Sequence, residues 1–232
     1  GSYGLIDSVD GPRTDVSDVT SFTYDALGNV AKVTNPLGHE VLFLSYDNSG
    51  RVLQLKQSNG LVENLAYNSR GWLISRTLAS EIGDVSTLFG YDNVGQVTSI
   101  TLPDNQQLTY EYDAAHRLVS VKNSNGEYVN YSLDAKGNRT QTDISDVNNI
   151  ITKTQERVFD ELGQLISNIS AGGETTQFSY DANGNVIQIT DPAHNVTNQS
   201  FDALNRLIET VDAKAGVTAF AYDTQDKLTQ VT

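Results

Sequence analysis

The sequence contains no cysteine and no methionine, which excludes disulfide bonds and thiolate metal sites. Basic residues are also scarce, because 15 Lys and Arg stand against 29 Asp and Glu, for a net charge of −14. Nucleic-acid and anionic-membrane binding depend on basic side chains, so neither is an expected partner. No apolar stretch approaches the roughly 18 residues of a membrane span, so membrane insertion is not expected. The first residues do not read as a signal peptide, so none is expected in this fragment.

A repeat of about 21 residues runs through the chain, and such a period indicates a repeat architecture. Six of the nine spacings between successive anchor residues are 21, and the others are 22, 24 and 26. We expect loops to absorb the extra residues, at 81–84 and 145–148. The anchors are Tyr24, Tyr46, Tyr67, Tyr91, Tyr112, Leu133, Phe159, Tyr180, Phe201 and Tyr222.

Two further columns of the repeat are typical of turns. Aspartate follows the anchor in nine copies and Asn68 in the other, and both residue types accept hydrogen bonds from turn amides. Glycine stands four residues after the anchor in seven copies, replaced elsewhere by His116, Asn205 and Asp226. These are the residue types that tolerate positive φ, so the column predicts a left-handed turn position. The motif residues are Tyr24, Asp25, Gly28, Tyr46, Asp47, Gly50, Tyr67, Gly71, Tyr91, Asp92, Gly95, Tyr112, Asp113, Tyr180, Asp181, Gly184, Tyr222 and Asp223.

Alternation of apolar and polar residues on both sides of these turns predicts strands. A repeat then consists of two strands of about six residues, and the array is an all-β antiparallel meander of hairpins. Asn59-Gly60 and Asn125-Gly126 lie between repeats, where a two-residue primed turn suits an antiparallel hairpin. Only 38% of the residues are hydrophobic, which predicts a thin core, with stability coming from contacts between neighbouring repeats.

The segments Tyr24–Val30, Tyr46–Val52 and Tyr180–Val186 read Tyr-Asp-x-x-Gly-Asn/Arg-Val and resemble the YD repeats of the RHS-repeat family. That family includes bacterial polymorphic toxins, the C components of insecticidal toxin complexes, and animal teneurins. The resemblance covers about 20–231. It implies a β-hairpin ribbon, forming a curved sheet or partial barrel, that builds a shell around a C-terminal toxin polypeptide. It also implies a secreted or cell-surface bacterial protein.

The organisation that follows has three parts. Residues 1–2 look like a cloning scar, 3–19 are a partial leading repeat, and 20–232 hold about ten YD repeats cut from a longer array. The sixth repeat departs from the pattern, because Leu133 replaces tyrosine and Arg139 replaces an aliphatic residue. We therefore expect an irregular or bulged stretch between Asp134 and Gln155. Asp191-Pro192 reads as an ordinary turn, so no cleavage role is expected there.

The acidic residues raise the question of catalysis or metal binding. A glycosidase pair would be singular, whereas these aspartates recur in each repeat, so no catalytic residue is expected. Each turn offers one carboxylate, and the three histidines are scattered without cysteine partners. No metal or other cofactor is therefore predicted, although a Ca²⁺-stiffened stalk stays an alternative. Trp72 occupies a column that is otherwise polar, so it is either a contact for a ligand such as a glycan or a cover for the adjacent hairpin.

The leading hypothesis is a non-catalytic wall segment whose partners are the rest of its own shell and an enclosed toxin polypeptide. The alternative is an extracellular adhesin or carbohydrate-binding module built from YD repeats, with Trp72 near its ligand. Whether the isolated array stays monomeric or pairs through its edges is left open by the sequence.

Overall fold

The computed structural model describes residues 4–81 and 83–232. The chain divides into two compact units, Gly1–Thr109 and Tyr110–Thr232. Strands and turns make up the described residues, which contain no helix and so none that is long and apolar enough to cross a membrane. The all-β class predicted from the sequence is confirmed.

Twenty-one strands, most of them five to seven residues long, occur in residues 4–81 and 83–232. The boundary between the two units falls within β10. The strands that begin in the first unit are β1 (Ser8–Val9), β2 (Thr20–Tyr24), β3 (Val30–Thr34), β4 (Glu40–Tyr46), β5 (Val52–Lys56), β6 (Val62–Tyr67), β7 (Leu73–Ala79), β8 (Val85–Tyr91), β9 (Val97–Thr101) and β10 (Gln107–Tyr112). Those of the second unit are β11 (Leu118–Asn123), β12 (Tyr128–Leu133), β13 (Arg139–Ser145), β14 (Ile151–Phe159), β15 (Leu165–Ile169), β16 (Thr175–Tyr180), β17 (Val186–Thr190), β18 (Val196–Phe201), β19 (Leu207–Val211), β20 (Val217–Tyr222) and β21 (Leu228–Val231).

Strands that follow one another in the chain pair antiparallel, from β1 to β10 in the first unit and from β11 to β21 in the second. The predicted hairpins are thus confirmed. Because side chains alternate across a strand, each unit has an aromatic face and a polar face. Phe22 lies opposite Val33 on the aromatic face, and Thr23 lies opposite Lys32 on the polar face.

The sheet has no buried apolar core. No hydrophobic side chain of the described residues is fully buried, and the buried residues among them are the polar Glu63, Ser120 and Ser145. Stability therefore comes from strand pairing and from side chains that half-cover their cross-strand neighbours. Each repeat depends on the repeats beside it.

Both turns of a repeat have the same backbone geometry. In the turn after Tyr24, Asp25 N–H donates to the Asn29 carbonyl (2.8 Å) and Gly28 N–H donates to the Asp25 carbonyl (3.1 Å). Between repeats, Gln57 N–H donates to the Leu61 carbonyl (2.8 Å) and Gly60 N–H to the Gln57 carbonyl (2.9 Å). This is a three-residue loop that ends in a left-handed residue.

The primed two-residue turns predicted at Asn59-Gly60 and Asn125-Gly126 are therefore wrong. Gly60 and Gly126 have φ of 89° and 93°, but the asparagine before each glycine does not have positive φ. A primed type I′ turn needs positive φ at both residues. The positive-φ column is confirmed, because His116, Asn205 and Asp226 have φ of 63°, 61° and 62°.

The extra residues of the longer repeats extend the strands, so the prediction that loops absorb them is wrong. β13 has seven residues and β14 has nine, while the turn between them keeps the ordinary bond from Asp146 N–H to the Ile150 carbonyl (2.9 Å). β7 and β8 have seven residues each, and Ile82, part of the other predicted insertion loop, lies outside the described residues. Strand pairing satisfies backbone groups that a longer loop would leave to water.

The stretch between Asp134 and Gln155 contains the predicted bulge, where the register shifts between Ile144 and Ser145. A second shift lies at the anchor, where Leu133 and Ser132 pair with Arg139 and Gln141, and the pairing between the two shifts is regular. The guanidinium of Arg139 lies 3.6 Å from the ring centroid of Tyr131. This cation–π contact explains how the strand accepts an arginine in place of an aliphatic residue.

Candidate functional site

The aspartate after each anchor is bonded to its own turn. Asp181 Oδ1 accepts hydrogen bonds from the backbone N–H groups of Asn183 and Asn185, both at 2.9 Å, and Oδ2 accepts one from the Asn185 side chain at 2.9 Å. Because the short carboxylate reaches two amides that no strand partner satisfies, it stabilises the turn. The pair of backbone bonds to one side-chain oxygen recurs at Asp25, Asp47, Asn68, Asp92, Asp113, Asp134, Asp160, Asp202 and Asp223.

These bonds also fix the charge of the carboxylates. The hydrogen bond from the Asn185 side chain, followed by those from the backbone, holds the pKa of Asp181 below its ordinary value. Hydrogen bonds from the Arg51 backbone and side chain do the same to the pKa of Asp47. A general acid needs a pKa near the working pH, so the shifts run against an acid–base role for these residues. Asp191 forms the same turn bonds to Ala193 and Asn195, both at 2.8 Å.

The residue five positions after the anchor contacts the next repeat in several copies, and we name this column the staple position. Arg51 pairs with Asp47 of its own turn (2.6 Å) and places its guanidinium 4.9 Å from the ring centroid of Tyr67. Arg206 likewise pairs with Asp202 (2.7 Å) and lies 4.9 Å from the ring centroid of Tyr222. The staple position comprises Asn29, Arg51, Trp72, Gln96, Arg117, Asn138, Gln164, Asn185, Arg206 and Lys227.

Trp72 is the aromatic member of the staple position and occupies the place that Arg51 has one repeat earlier. Its ring centroid lies 5.3 Å from that of Tyr91, and the Arg70 guanidinium lies 5.1 Å from the Trp72 ring. A Cβ atom added to Gly95 would come within 2.8 Å of Trp72 Cζ2, so the indole also covers the next turn. The structure therefore places Trp72 as a cover on the adjacent hairpin. The role of Trp72 as a ligand contact stays a prediction.

Anchor tyrosines bond to the preceding repeat through their hydroxyl groups. Tyr91 donates to the Leu73 carbonyl (2.7 Å) and Tyr180 to the Leu165 carbonyl (2.7 Å). Burial, with a smaller contribution from Asp160, raises the pKa of the Tyr180 hydroxyl. The same bond is made by Tyr24 to Ile6, Tyr46 to Val30 and Tyr222 to Leu207. This tie and the staple contacts were missed by sequence reasoning, although the constant tyrosine and the long side chains of the staple column were the available signals.

Grooves open between consecutive turns of the first unit. One of about 490 Å³ lies between the turns of Asp25 and Asp47 and is lined by Asn29, Phe43 and Tyr46. Another of about 400 Å³ lies beside Trp72 and Tyr91. Within residues 4–81 and 83–232, no group of three or more His, Asp or Glu side chains is placed to hold a metal ion. His116 and His194 fill left-handed turn positions.

Comparison with known families shows which proteins share this repeat. A family model described as Teneurin YD-shell matches residues 5–141, and one described as RHS Repeat matches residues 159–196 and 201–232. The tRNA3(Ser)-specific nuclease WapA of Bacillus spizizenii is 30% identical over 139 residues, which make up 59% of this chain and 6% of the nuclease.

Solved structures share the fold at low sequence identity. The crystal structure of TcdB2-TccC3-Cdc42 matches 94% of this chain with a TM-score of 0.70 at 17% identity. That of TcdB2-TccC3 without the hypervariable C-terminal region matches 94% with a TM-score of 0.70 at 18% identity. This chain spans 14% of each of those chains, so it corresponds to a small part of each of these proteins.

Proposed function

Because this chain belongs to the YD-shell family of RHS-repeat proteins, we propose that it is a non-catalytic wall segment of a shell that encloses a toxin polypeptide for export from a bacterium. The observation that carries the proposal is how the repeated polar side chains are used. Asp47 bonds its own turn, Arg51 joins that turn to the next repeat, and Tyr46 bonds the previous repeat. The residues that recur most often hold the wall together.

The lack of a buried apolar core supports a role as the wall of a shell. No hydrophobic side chain of the described residues is fully buried, so neither face is covered by a second layer in that part of the chain. A polypeptide held against one face would add burial that the sheet lacks. The aromatic face offers half-buried rings and aliphatic side chains for that contact, as at Phe22 and Val33.

The relatives support a link to toxins. WapA is a nuclease, but the matched segment is 6% of it, so we assign the catalytic part of such a protein to residues outside the array. The solved structures with matching folds include TcdB2-TccC3-Cdc42 and TcdB2-TccC3 without the hypervariable C-terminal region. By this reasoning the chain itself is not an enzyme, and its partners are further repeats and the enclosed cargo.

Limited proteolysis of the full-length gene product tests the proposal. We expect the cargo region to survive protease concentrations that digest the same region expressed alone. Mild denaturant that melts the β-sheet signal should abolish the protection. Digestion of the attached and the free cargo at equal rates would contradict enclosure.

No observation favours the glycan-binding alternative, because Tyr91 and Arg70 already contact the Trp72 ring. Glycan-array binding by the chain, lost on Trp72→Ala, would nevertheless replace the wall proposal if the cargo also proved unprotected. A Ca²⁺-stiffened stalk would instead show a lower melting temperature in a chelator.

A further inference from the structure

The lengthened hairpin of the second unit leaves part of a strand without a neighbour. β14 runs from Ile151 to Phe159 and pairs with β13 along most of its length. On its other side β15 pairs only with Glu156 to Phe159, and the chain then enters the turn that starts at Ser170. Among the described residues, no strand pairs with 151–155 on that side. We name this segment the free edge.

The register shows which backbone groups point out of the free edge. Ser170 N–H donates to the Glu174 carbonyl (2.8 Å), so the backbone groups of Ser170 point toward β16. Backbone groups of successive strand residues point to opposite sides. Those of Ile169 therefore point toward β14, where Ile169 is opposite Glu156. The backbone groups of Glu156 thus point to β15, those of Gln155 point to β13, and those of Thr154 point away from β13. The N–H and C=O of Thr154 therefore face the side where no strand lies. A row of such groups is a template for an added strand.

Lys153 in the free edge and Arg157, two residues beyond its end, place positive charge on the aromatic face. Lys153 lies opposite Ile144, and Arg157 lies opposite Asn168. In the described part of the chain, neither residue forms an ion pair, and Arg157 donates a hydrogen bond to the Gln155 side chain (3.0 Å). The acids of this hairpin, Asp143 and Glu156, are at strand positions of the other face. In a chain of net charge −14, these two cations are local points of attraction for acidic groups.

Apolar side chains flank the same segment. Ile150 ends the turn between β13 and β14, and Ile151 is the first residue of β14. Their side chains are nevertheless 61% and 56% exposed. Glu174, the acid of the neighbouring turn, accepts a hydrogen bond from the Ser170 hydroxyl. The free edge and the residues that flank it, Ile150 and Arg157, thus combine open backbone groups, exposed isoleucines and two cations without an ion pair.

We infer that the free edge of β14 binds an extended acidic peptide segment of a partner polypeptide, which adds as a strand beside 151–155. The peptide backbone bonds to Thr154, acidic side chains lie near Lys153 and Arg157, and an apolar side chain contacts Ile151. Five residues of strand span about 16 Å, enough for two or three acidic side chains on one face. The inference goes beyond enclosure, because it assigns one segment of a bound polypeptide to a fixed place on the wall.

A fluorescent decapeptide of alternating Glu and Val, blocked at both ends, provides the probe, and fluorescence polarisation against the chain measures its affinity. Thr154→Pro removes the outward N–H and should weaken binding by about tenfold, the worth of one good hydrogen bond. Thr154→Val keeps that N–H and loses only the hydroxyl bond to Asp143 (2.7 Å), so it should bind as the parent does. Lys153→Glu should also weaken binding, and a decapeptide with Lys in place of Glu should not bind.

β8 provides a matched control. It pairs with β9 only from Leu88 onward, so 85–87 is a second edge without a neighbour in the described residues, but Val85 and Thr87 bring no cation there. Ser86→Pro should leave peptide binding unchanged. If Thr154→Pro does not fold, Lys153→Glu and a peptide with N-methylated amides test the same contacts.

Three results would overturn the inference. The first is equal affinity for the acidic and basic decapeptides, and the second is loss of binding in Ser86→Pro with none in Lys153→Glu. The third is self-association of the chain, seen by sedimentation velocity and abolished by Thr154→Pro, because the occupant would then be a second copy of this chain.

Discussion

Each turn after an anchor depends on one short side chain whose Oδ1 accepts hydrogen bonds from two backbone amides. Asn68 shows that the amide is sufficient, because its Oδ1 accepts from the N–H groups of Arg70 and Trp72, both at 3.0 Å. A carboxylate adds a second oxygen, which Asp47 uses to bind the Arg51 side chain (2.6 Å). Aspartate therefore links the turn to the staple position, and asparagine serves only the turn.

Replacing Asn68 tests the turn bonds without changing a charge. Asn68→Ala leaves two amides without their side-chain acceptor and should lower the free energy of unfolding by about 1–2 kcal/mol. Asn68→Asp restores the residue that the other copies carry and should be neutral or stabilising. Urea unfolding followed by circular dichroism measures both. Equal stability of the alanine and parent chains would show that the turn holds without the side chain.

Trp72 tests the staple position. Trp72→Ala removes the contacts with Tyr91 and Gly95 and should cost about 2 kcal/mol, less than for a fully buried tryptophan. Trp72→Arg should cost less, because Arg51 shows that a guanidinium can stack on the next tyrosine. Thermal melts of the three chains give the order. An arginine variant as unstable as the alanine variant would contradict the equivalence of the staple residues.

At the scale of the element, the repeat unit is a hairpin with a bulge beside its anchor. The register shifts between Thr23 and Tyr24, between Ser179 and Tyr180, and between Ser200 and Phe201. A bulge bends its strand and increases the local twist. Because the bulge, turn and staple contact recur together, the repeat is a complete module.

A modular hairpin can be removed without breaking its neighbours. Deleting residues 181–201 joins Tyr180 to Asp202 and removes one repeat of 21 residues, so the remaining anchors keep their register. We expect a folded chain with the same circular dichroism per residue and a lower melting temperature, because two interfaces become one.

The matched control deletes 181–200 and so retains Phe201. The one extra residue moves the side chains of the following strand to the opposite face of the sheet. The melting temperature of this chain should therefore be lower than that of the chain with the 21-residue deletion. If both deletions melted alike, the period would not be a structural constraint.

Sequence reasoning succeeded where the cause is local to one hairpin. The left-handed position at His116 and Asn205 follows from the preferences of single residues, so it could be predicted. The turn at Asn59-Gly60 could not, because the same dipeptide fits a primed turn and a three-residue loop that ends in glycine. The contact of Arg51 with Tyr67 joins residues 16 positions apart, and the free edge of β14 depends on where β15 ends. Both need the register of neighbouring strands.

At the scale of the whole molecule, the turn aspartates make stability depend on pH. Their hydrogen bonds lower the folded-state pKa of Asp25, Asp47, Asp113, Asp134, Asp146, Asp181, Asp191 and Asp202. A depressed pKa stabilises the folded chain above the unfolded value of about 3.9, and this contribution is lost as the pH falls through the folded value.

Thermal melts between pH 7 and pH 2 measure this effect. We expect a nearly constant melting temperature down to about pH 5 and a steep fall below about pH 4. Because many equivalent carboxylates titrate together, the fall should be steeper than for a chain with one such residue. A melting temperature that rises on acidification through pH 4 would contradict the role assigned to the aspartates.

The pairing of each strand with the next in the chain has a consequence for how the protein reaches its native state. All strand pairings within each unit close short stretches of sequence, which gives each unit a low contact order, and such topologies fold fast. A hairpin can form as soon as its second strand emerges from the ribosome, and the next repeat stabilises it. The array can therefore assemble from its leading end, and a kinetic experiment should detect folding in order along the chain.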